Sequence, residues 1–234
     1  MNSLLQFKPR ENSFIKIARA VDIYLKTIIL CEGSRDVEVI KVLCKKLGIN
    51  LRNTGITDCG GIKELTRIAR YIIAISRVSF RLKTIGVLID ADKDSPDKRF
   101  RDFKNTLLAR KIEITREYKL NSQNFLLQVD NIKLVVHIAG DSSFNFDSHS
   151  FDDYLVKLMI LENYKINIEQ FRTAKQVLSH MQINAYDLIF KAHNKNIFTA
   201  FSKILKFLNT IKENRSNIAP EHKFFLVSAR SRIF

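Results

Sequence analysis

The stretch 84-TIGVLIDADKDSPDKRF-100 decides the fold. Its first six residues form a short apolar run, cut off by Asp90 and Asp92, with Asp94 and Asp97 close behind. A short apolar run without alternation predicts a strand buried on both faces. The runs 26-KTIIL-30 and 133-KLVVHIAG-140 read the same way, and 53-NTGIT-57 reads as a weaker strand. Helical spacing lies between them. It covers 36-DVEVIKVLCKKLGI-49 with Gly48 as its stop, residues 62–79 with Leu65, Ile68, Ala69, Ile72 and Ile75 inward, and residues 97–111. Strands alternating with helices predict a parallel sheet covered on both sides.

Outside this core the periodicity is helical. Phe14, Ile17, Ala18, Val21 and Leu25 share one side of a predicted helix over 11–25. After residue 150 the strands stop, and 151-FDDYLVKLMILENY-164, 168-IEQFRTAKQVLSHM-181 and 196-NIFTAFSKILKFLNTI-211 all predict helices. The expected organisation is an N-terminal helical segment (1–25), an α/β core with a four-stranded parallel sheet (26–140), and a helical part packed on that core (141–234). The last ends in a basic tail, 228-SARSRIF-234, frayed or held by a partner.

With 46% hydrophobic residues, the 234-residue chain can build a substantial core. Its net charge of +15 points to polyanionic partners, nucleic acid first and acidic membrane surfaces second. No stretch approaches the roughly 20 apolar residues of a membrane span. The first residues, 1-MNSLLQFKPRENSF-14, lack the features of a signal peptide. The expectation is a soluble, cytoplasmic protein with no membrane partner. Cys31, Cys44 and Cys59 are an odd number without paired metal spacing, which argues against a disulfide framework or a zinc ribbon. A homo-oligomer is left open.

Ligands of open parallel sheets bind beyond the carboxyl ends of the strands. Glu32 directly follows one predicted strand, and Asp90 and Asp92 directly follow another. On neighbouring strands these carboxylates would repel one another unless a cation sat among them. Magnesium suits such donors, because it takes one or two carboxylates and completes its shell with water and phosphate oxygens. The two-residue period of an extended chain puts Asp90 and Asp92 on one side, with Ala91 between.

Each acid also has a plainer reading. A calcium loop fails at Ser95, where glycine is needed, and at Arg101, where glutamate is needed. Asp94 or Ser95 caps the next helix, and Asp97 favours its first turn. Ser34 reads as a cap and Asp36 as a first-turn acid. Gly60 and Gly61 either bring backbone N–H groups to a phosphate or form an ordinary turn. His137, on an apolar strand, reads as a core residue. His149, close to the predicted 151–164 helix, is a second metal-ligand candidate. Lys175 and Lys191 either reach phosphates or belong to a solvated face.

Taken together, 28-IILCEGSRDVEVIKVL-43, 58-DCGGIKEL-65 and 85-IGVLIDAD-92 resemble the Toprim domain. That module is found in topoisomerases, bacterial primases, the ribonuclease that matures 5S ribosomal RNA, and the overcoming-lysogenization-defect nucleases. The likeness is strongest to small stand-alone Toprim-related proteins of archaea and bacteria, clear over residues 26–140 and looser to about 210. It implies a Toprim-like, Rossmann-like α/β fold. It also implies that Glu32 is a general acid/base or metal ligand and that Asp90 and Asp92 bind Mg2+ or Mn2+. A later acidic pair opens a helix in the stand-alone relatives, and 150-SFDDYL-155 fits it with Asp152, and with Asp153 as a weaker match. Ser150 and Asp153 equally have the spacing of a capping box. Cys31 replaces the commoner aliphatic residue before the glutamate.

The leading functional expectation is magnesium-dependent phosphodiester chemistry on DNA or RNA by a nuclease with Glu32, Asp90 and Asp92 as catalytic residues. The alternative is a non-catalytic nucleic-acid- or nucleotide-binding module, and a third reading is an interaction protein that merely inherited the fold. None of the six tyrosines can be assigned a strand-passage role, and the cysteine spacing offers no zinc element for a primase.

Overall fold

The computed structural model describes residues 5–7, 19–20, 25–78 and 81–212. The basic tail lies outside the described residues, as does all of the helix read over 11–25 except Arg19, Ala20 and Leu25. The strands are β1 (Leu5–Phe7), β2 (Thr27–Cys31), β3 (Thr54–Asp58), β4 (Thr84–Asp90), β5 (Arg116–Lys119), β6 (Asn124–Val129) and β7 (Ile132–Ala139). The helices are α1 (Ser34–Lys46), α2 (Ile62–Ser76), α3 (Pro96–Leu108), α4 (Asp152–Leu161), α5 (Ala174–His180), α6 (Ala185–Lys191), α7 (Asn194–Ala200) and α8 (Ser202–Lys212).

Six of these strands, with the three-residue β1 at one edge, form a single sheet in the order β1-β3-β2-β4-β7-β6-β5. From β1 to β7 every pairing is parallel, and β6 and β5 add an antiparallel edge. The sheet is therefore larger than the four strands expected. The missed hairpin joins β6 to β7 through a two-residue turn in which Asp130 takes φ 52°. The apolar run of β6 is only Phe125–Leu127 long, and β5 is mostly polar and exposed, so neither has the buried-strand pattern of β4.

Both sheet faces are covered, which is why the central strands read as unbroken apolar runs. Ile28, Leu30, Ile85, Val87 and Ile89 pack with α2 and α3. Ile29, Cys31, Ile56, Leu88 and Val135 pack with α1 and the C-terminal helices. At Gly86 the closest approach occurs: a Cβ there would lie 2.5 Å from Ile211 Cδ1 and 3.1 Å from Phe207 Cζ of α8.

The C-terminal helices are more broken than their periodicity predicts. The 168–181 stretch is helical only over α5, preceded by a short turn of helix at Ile168–Gln170, and 196–211 divides at Phe201, which is fully buried. No helix among the described residues is long and apolar enough to cross a membrane.

Candidate functional site

From β2 the chain passes through α1 to β3 on one side, and β4 then pairs with β2 on the other. The strand order thus diverges between β2 and β4, and a crevice opens at the carboxyl ends at such a point. Glu32 and Asp90 sit there, on adjoining strands. The Glu32 backbone N–H continues the ladder to Leu88 O (3.1 Å), and Glu32 Oε2 accepts the backbone N–H of Asp90 at 3.1 Å.

An open cleft of about 490 Å³ lies beside them, and its walls include Asp36, Asp90, Asp152, Arg35 and Lys175. Asp90 Oδ1 accepts the backbone N–H of Phe151 at 3.0 Å, just ahead of α4, where the helix dipole favours a negative charge. Asp152 opens α4 and pairs with Arg35 at 2.9 Å. Asp36, in the first turn of α1, accepts the backbone N–H of Gly33 at 3.0 Å. It is therefore the first-turn acid its position predicts, but it is only 5% exposed and lines the cleft as well.

These carboxylates hold their protons more tightly than free ones. Burial pushes Asp36 up to about 7 against the Gly33 N–H, and the charges of Asp152 and Glu32 add to it. Asp90 is raised well above the carboxylate range by burial and by Asp36, against the Phe151 N–H. Burial also raises Glu32, against the Asp90 N–H and Arg99, and raises Asp152 against Arg35 and Lys175.

Asp92 goes elsewhere. Its backbone leaves the extended region, with φ 55°, so the alternation that would set it beside Asp90 ends at Ala91. Its carboxylate instead meets the Arg99 guanidinium at 2.6 Å. Arg99 also donates to Asp90 O (3.0 Å) and lies 4.0 Å from Glu32 Oε2. A cation of the chain itself therefore stands between Glu32 and Asp92. Among the described residues no three His, Cys, Asp or Glu side chains gather as a metal-holding group.

The remaining candidates divide clearly. Lys175 lines the cleft, while Lys191 is exposed at the end of α6 and is not among the lining residues. Gly60 and Gly61 form a left-handed turn with φ 71° and 115°, and the Gly61 N–H is taken by Glu32 O at 3.0 Å. Ser95 caps α3 by accepting the Lys98 N–H, and Asp97 pairs with Lys119. His137 is wholly buried, bonded to Asn124 Oδ1 (2.6 Å) and Tyr154 OH (3.0 Å), and burial pushes it down to about 3. The Ser150–Asp153 capping box does not form. Ser150 Oγ accepts the Asp152 N–H, and the fully buried Asp153 takes the Asp141 N–H and His149 Nδ1, each at 2.8 Å. His149 also trades backbone hydrogen bonds with Asp92. All three cysteines are free thiols.

Residues 26–141 match the model of a family described as a protein of unknown function, DUF3226. The match ends just after β7 and leaves out Asp152, Lys175 and α4–α8. No curated protein and no solved structure matches the chain.

Three contributors escaped sequence reasoning in this role. Arg35 and Asp36 follow Glu32 within four residues, at the start of the helix after β2, and that proximity is the signal that could have found them. Arg99 carries no such mark. It lies nine residues past Asp90 among other basic residues, and only the packing of α3 brings it back to the strand end.

Proposed function

We propose that this chain carries out magnesium- or manganese-dependent phosphodiester chemistry on nucleic acid at the cleft, as a nuclease of the Toprim type. The observation that carries this reading is the set Asp36, Asp90 and Asp152 in one cleft at the β2–β4 divergence, with pKa values raised by burial and, for Asp36 and Asp90, by neighbouring carboxylates. No three of these acids gather as a metal-holding group among the described residues and Asp152 is paired with Arg35, but a hard dication can bind through one or two carboxylates and take water and phosphate oxygens besides. Asp90 and Asp152 would hold it, with Glu32 and Asp36 adjoining. When bound, the ion supplies Lewis-acid stabilisation of developing charge and lowers the pKa of a bound water.

The chain's own residues do the positioning. Glu32, through the Asp90 N–H, fixes the backbone from which the Asp90 carboxylate projects. Arg35 and Lys175 offer charge-assisted hydrogen bonds to phosphate oxygens at the cleft wall. The Asp36 carboxyl, pushed up to about 7 by burial, is suited to hold a proton in the cleft. Arg99 holds Asp92 and backs Glu32.

A second reading, a nucleic-acid- or nucleotide-binding module without cleavage, draws on Arg99. That guanidinium already balances Glu32 and Asp92, two of the three acids on which catalysis is expected to depend. The test is cleavage of labelled single- and double-stranded DNA and RNA with magnesium or manganese by wild type, Asp90→Ala and Glu32→Ala. Metal-dependent cutting that both variants lose, by more than about a hundredfold, is the expected result. Binding without cutting by pure wild type selects the second reading.

A further inference from the structure

A second cavity, of about 500 Å³, lies between α1 and the helices α4, α5 and α6. Arg35 lines both this cavity and the acidic cleft, so the two adjoin at that side chain. On the α1 side five of the six lining residues follow one helical face, with Arg35, Glu38, Val39, Val42 and Lys45 at i, i+3, i+4, i+7 and i+10, and Lys41 flanks it. From Arg35 to Lys45 this face runs about 15 Å along the helix.

The far end carries an aromatic platform. Tyr186 is 43% exposed and stacks on Phe190, with ring centroids 4.8 Å apart and planes 16° apart. Lys45 Nζ lies 5.8 Å from the Tyr186 ring centroid and 5.2 Å from that of Phe190. Lys46 donates to Phe190 O at 2.7 Å and so ties α6 to α1. The groove thus has an apolar floor with Val39, Val42 and Leu178, and its charged lining is Lys41, Lys45, Glu38 and Arg35, the last already paired with Asp152 at 2.9 Å.

We infer that this groove is a track for one single strand of nucleic acid, leading from the acidic cleft past Arg35 to a base-stacking position on Tyr186. The inference rests on the nucleic-acid reading above and adds its substrate class. Proteins that hold single strands combine a cationic groove for the backbone with aromatic rings for the bases. Both elements are present here, in line, and continuous with the cleft. A basic peptide would meet a lining whose two lysines outnumber its one acid, Glu38, while Arg35 is balanced by Asp152. Within a duplex no internal base can lay its face on Tyr186 without unstacking.

The test is fluorescence anisotropy with labelled oligo(dT) and oligo(U) at low salt in EDTA, so that binding is read without any metal. Tyr186→Ala should weaken binding of the full chain roughly tenfold, within the range of one lost base stack, and Tyr186→Phe should restore it. Lys45→Ala should reduce the slope of log affinity against log salt by roughly 0.7, as for one lost phosphate contact. Unchanged melting temperatures would show that these variants fold. Wild-type affinity in Tyr186→Ala and Lys45→Glu overturns the track, and so does failure of wild type to bind either oligonucleotide. If wild type cuts with metal and the groove variants cut with unchanged KM, the track fails while the nuclease stands. If oligonucleotides bind through Tyr186 and are never cut, the track stands and the nuclease fails.

Discussion

Two groups of acids occupy the same edge of the sheet and have been treated oppositely by the fold. Asp141 and Asp153 are held by partners of their own: Lys157 pairs with Asp141 at 2.6 Å, and Asp153 Oδ2 takes His149 Nδ1 and the Asp141 N–H, although burial raises the Asp153 carboxyl and leaves its Oδ1 without a partner among the described residues. Burial works against Asp141, yet Lys157 and Ser143 keep it below the usual carboxylate range. In the cleft Asp36 and Asp90 have no such cationic partner at hydrogen-bond distance among the described residues; burial raises both, Asp152 and Glu32 add to it at Asp36, and Asp36 adds to it at Asp90. The first group is architecture. The second lacks that pairing, and its raised pKa values together with its place in the cleft are what single it out as the candidate site.

Removing an architectural acid should do the most damage. Asp153 is fully buried, and Asp153→Ala would strand the Asp141 N–H and His149, which should cost about 3 kcal/mol in urea unfolding. A cost below about 1 kcal/mol would break the contrast.

Neutralising a cleft acid should have the opposite sign. Asp36 has a folded pKa near 7, above its unfolded value, so its contribution is complete in acid, below the unfolded value, and is lost as pH rises through 7. Asp90 shifts in the same direction. The melting temperature of the metal-free protein should therefore carry a falling component between about pH 4 and 8. Asp36→Asn, which keeps an acceptor for Gly33, should melt about 5 °C higher than wild type at pH 8 and no higher at pH 4. A variant that melts lower at pH 8 would place Asp36 with the architectural acids.

A smaller effect should come from the ion. At pH 8 millimolar magnesium should raise the wild-type melting temperature by about 3 °C, less at pH 5, and leave Asp90→Asn unmoved. Equal shifts in both proteins would remove Asp90 from the metal site. The smallest effect belongs to Arg77→Ala, which opens the exposed pair to Asp130. It should cost no more than about 0.5 kcal/mol, which would show that burial, and not pairing alone, gives Asp153 its weight.

Much of this layout is legible in the sequence because its causes are local. A strand buried on both faces advertises itself as an apolar run, so the residues alone place Glu32 and Asp90 at strand ends. Asp92 is misplaced by the same logic, since extended alternation holds only while the backbone stays extended, and its φ is 55°. Asp152 is reached through the resemblance to Toprim proteins and does line the cleft. Arg99 and the second role of Asp36 depend on how helices pack, which no local pattern reports. The β5–β6 edge escapes detection because a half-exposed antiparallel strand of four residues has too little periodicity.

Gly86 has a consequence for the order in which the protein is made. It sits in the central strand, yet what it accommodates is α8, whose Phe207 and Ile211 emerge from the ribosome some 120 residues later. Even after β7 is complete, roughly 70 residues must still be added before that face of the sheet is covered. At about 5–20 residues per second this leaves Ile29, Leu88 and Val135 without their final cover for several seconds. A nascent chain in that interval presents an apolar sheet face, the kind of transiently exposed surface that makes a folding intermediate prone to aggregate.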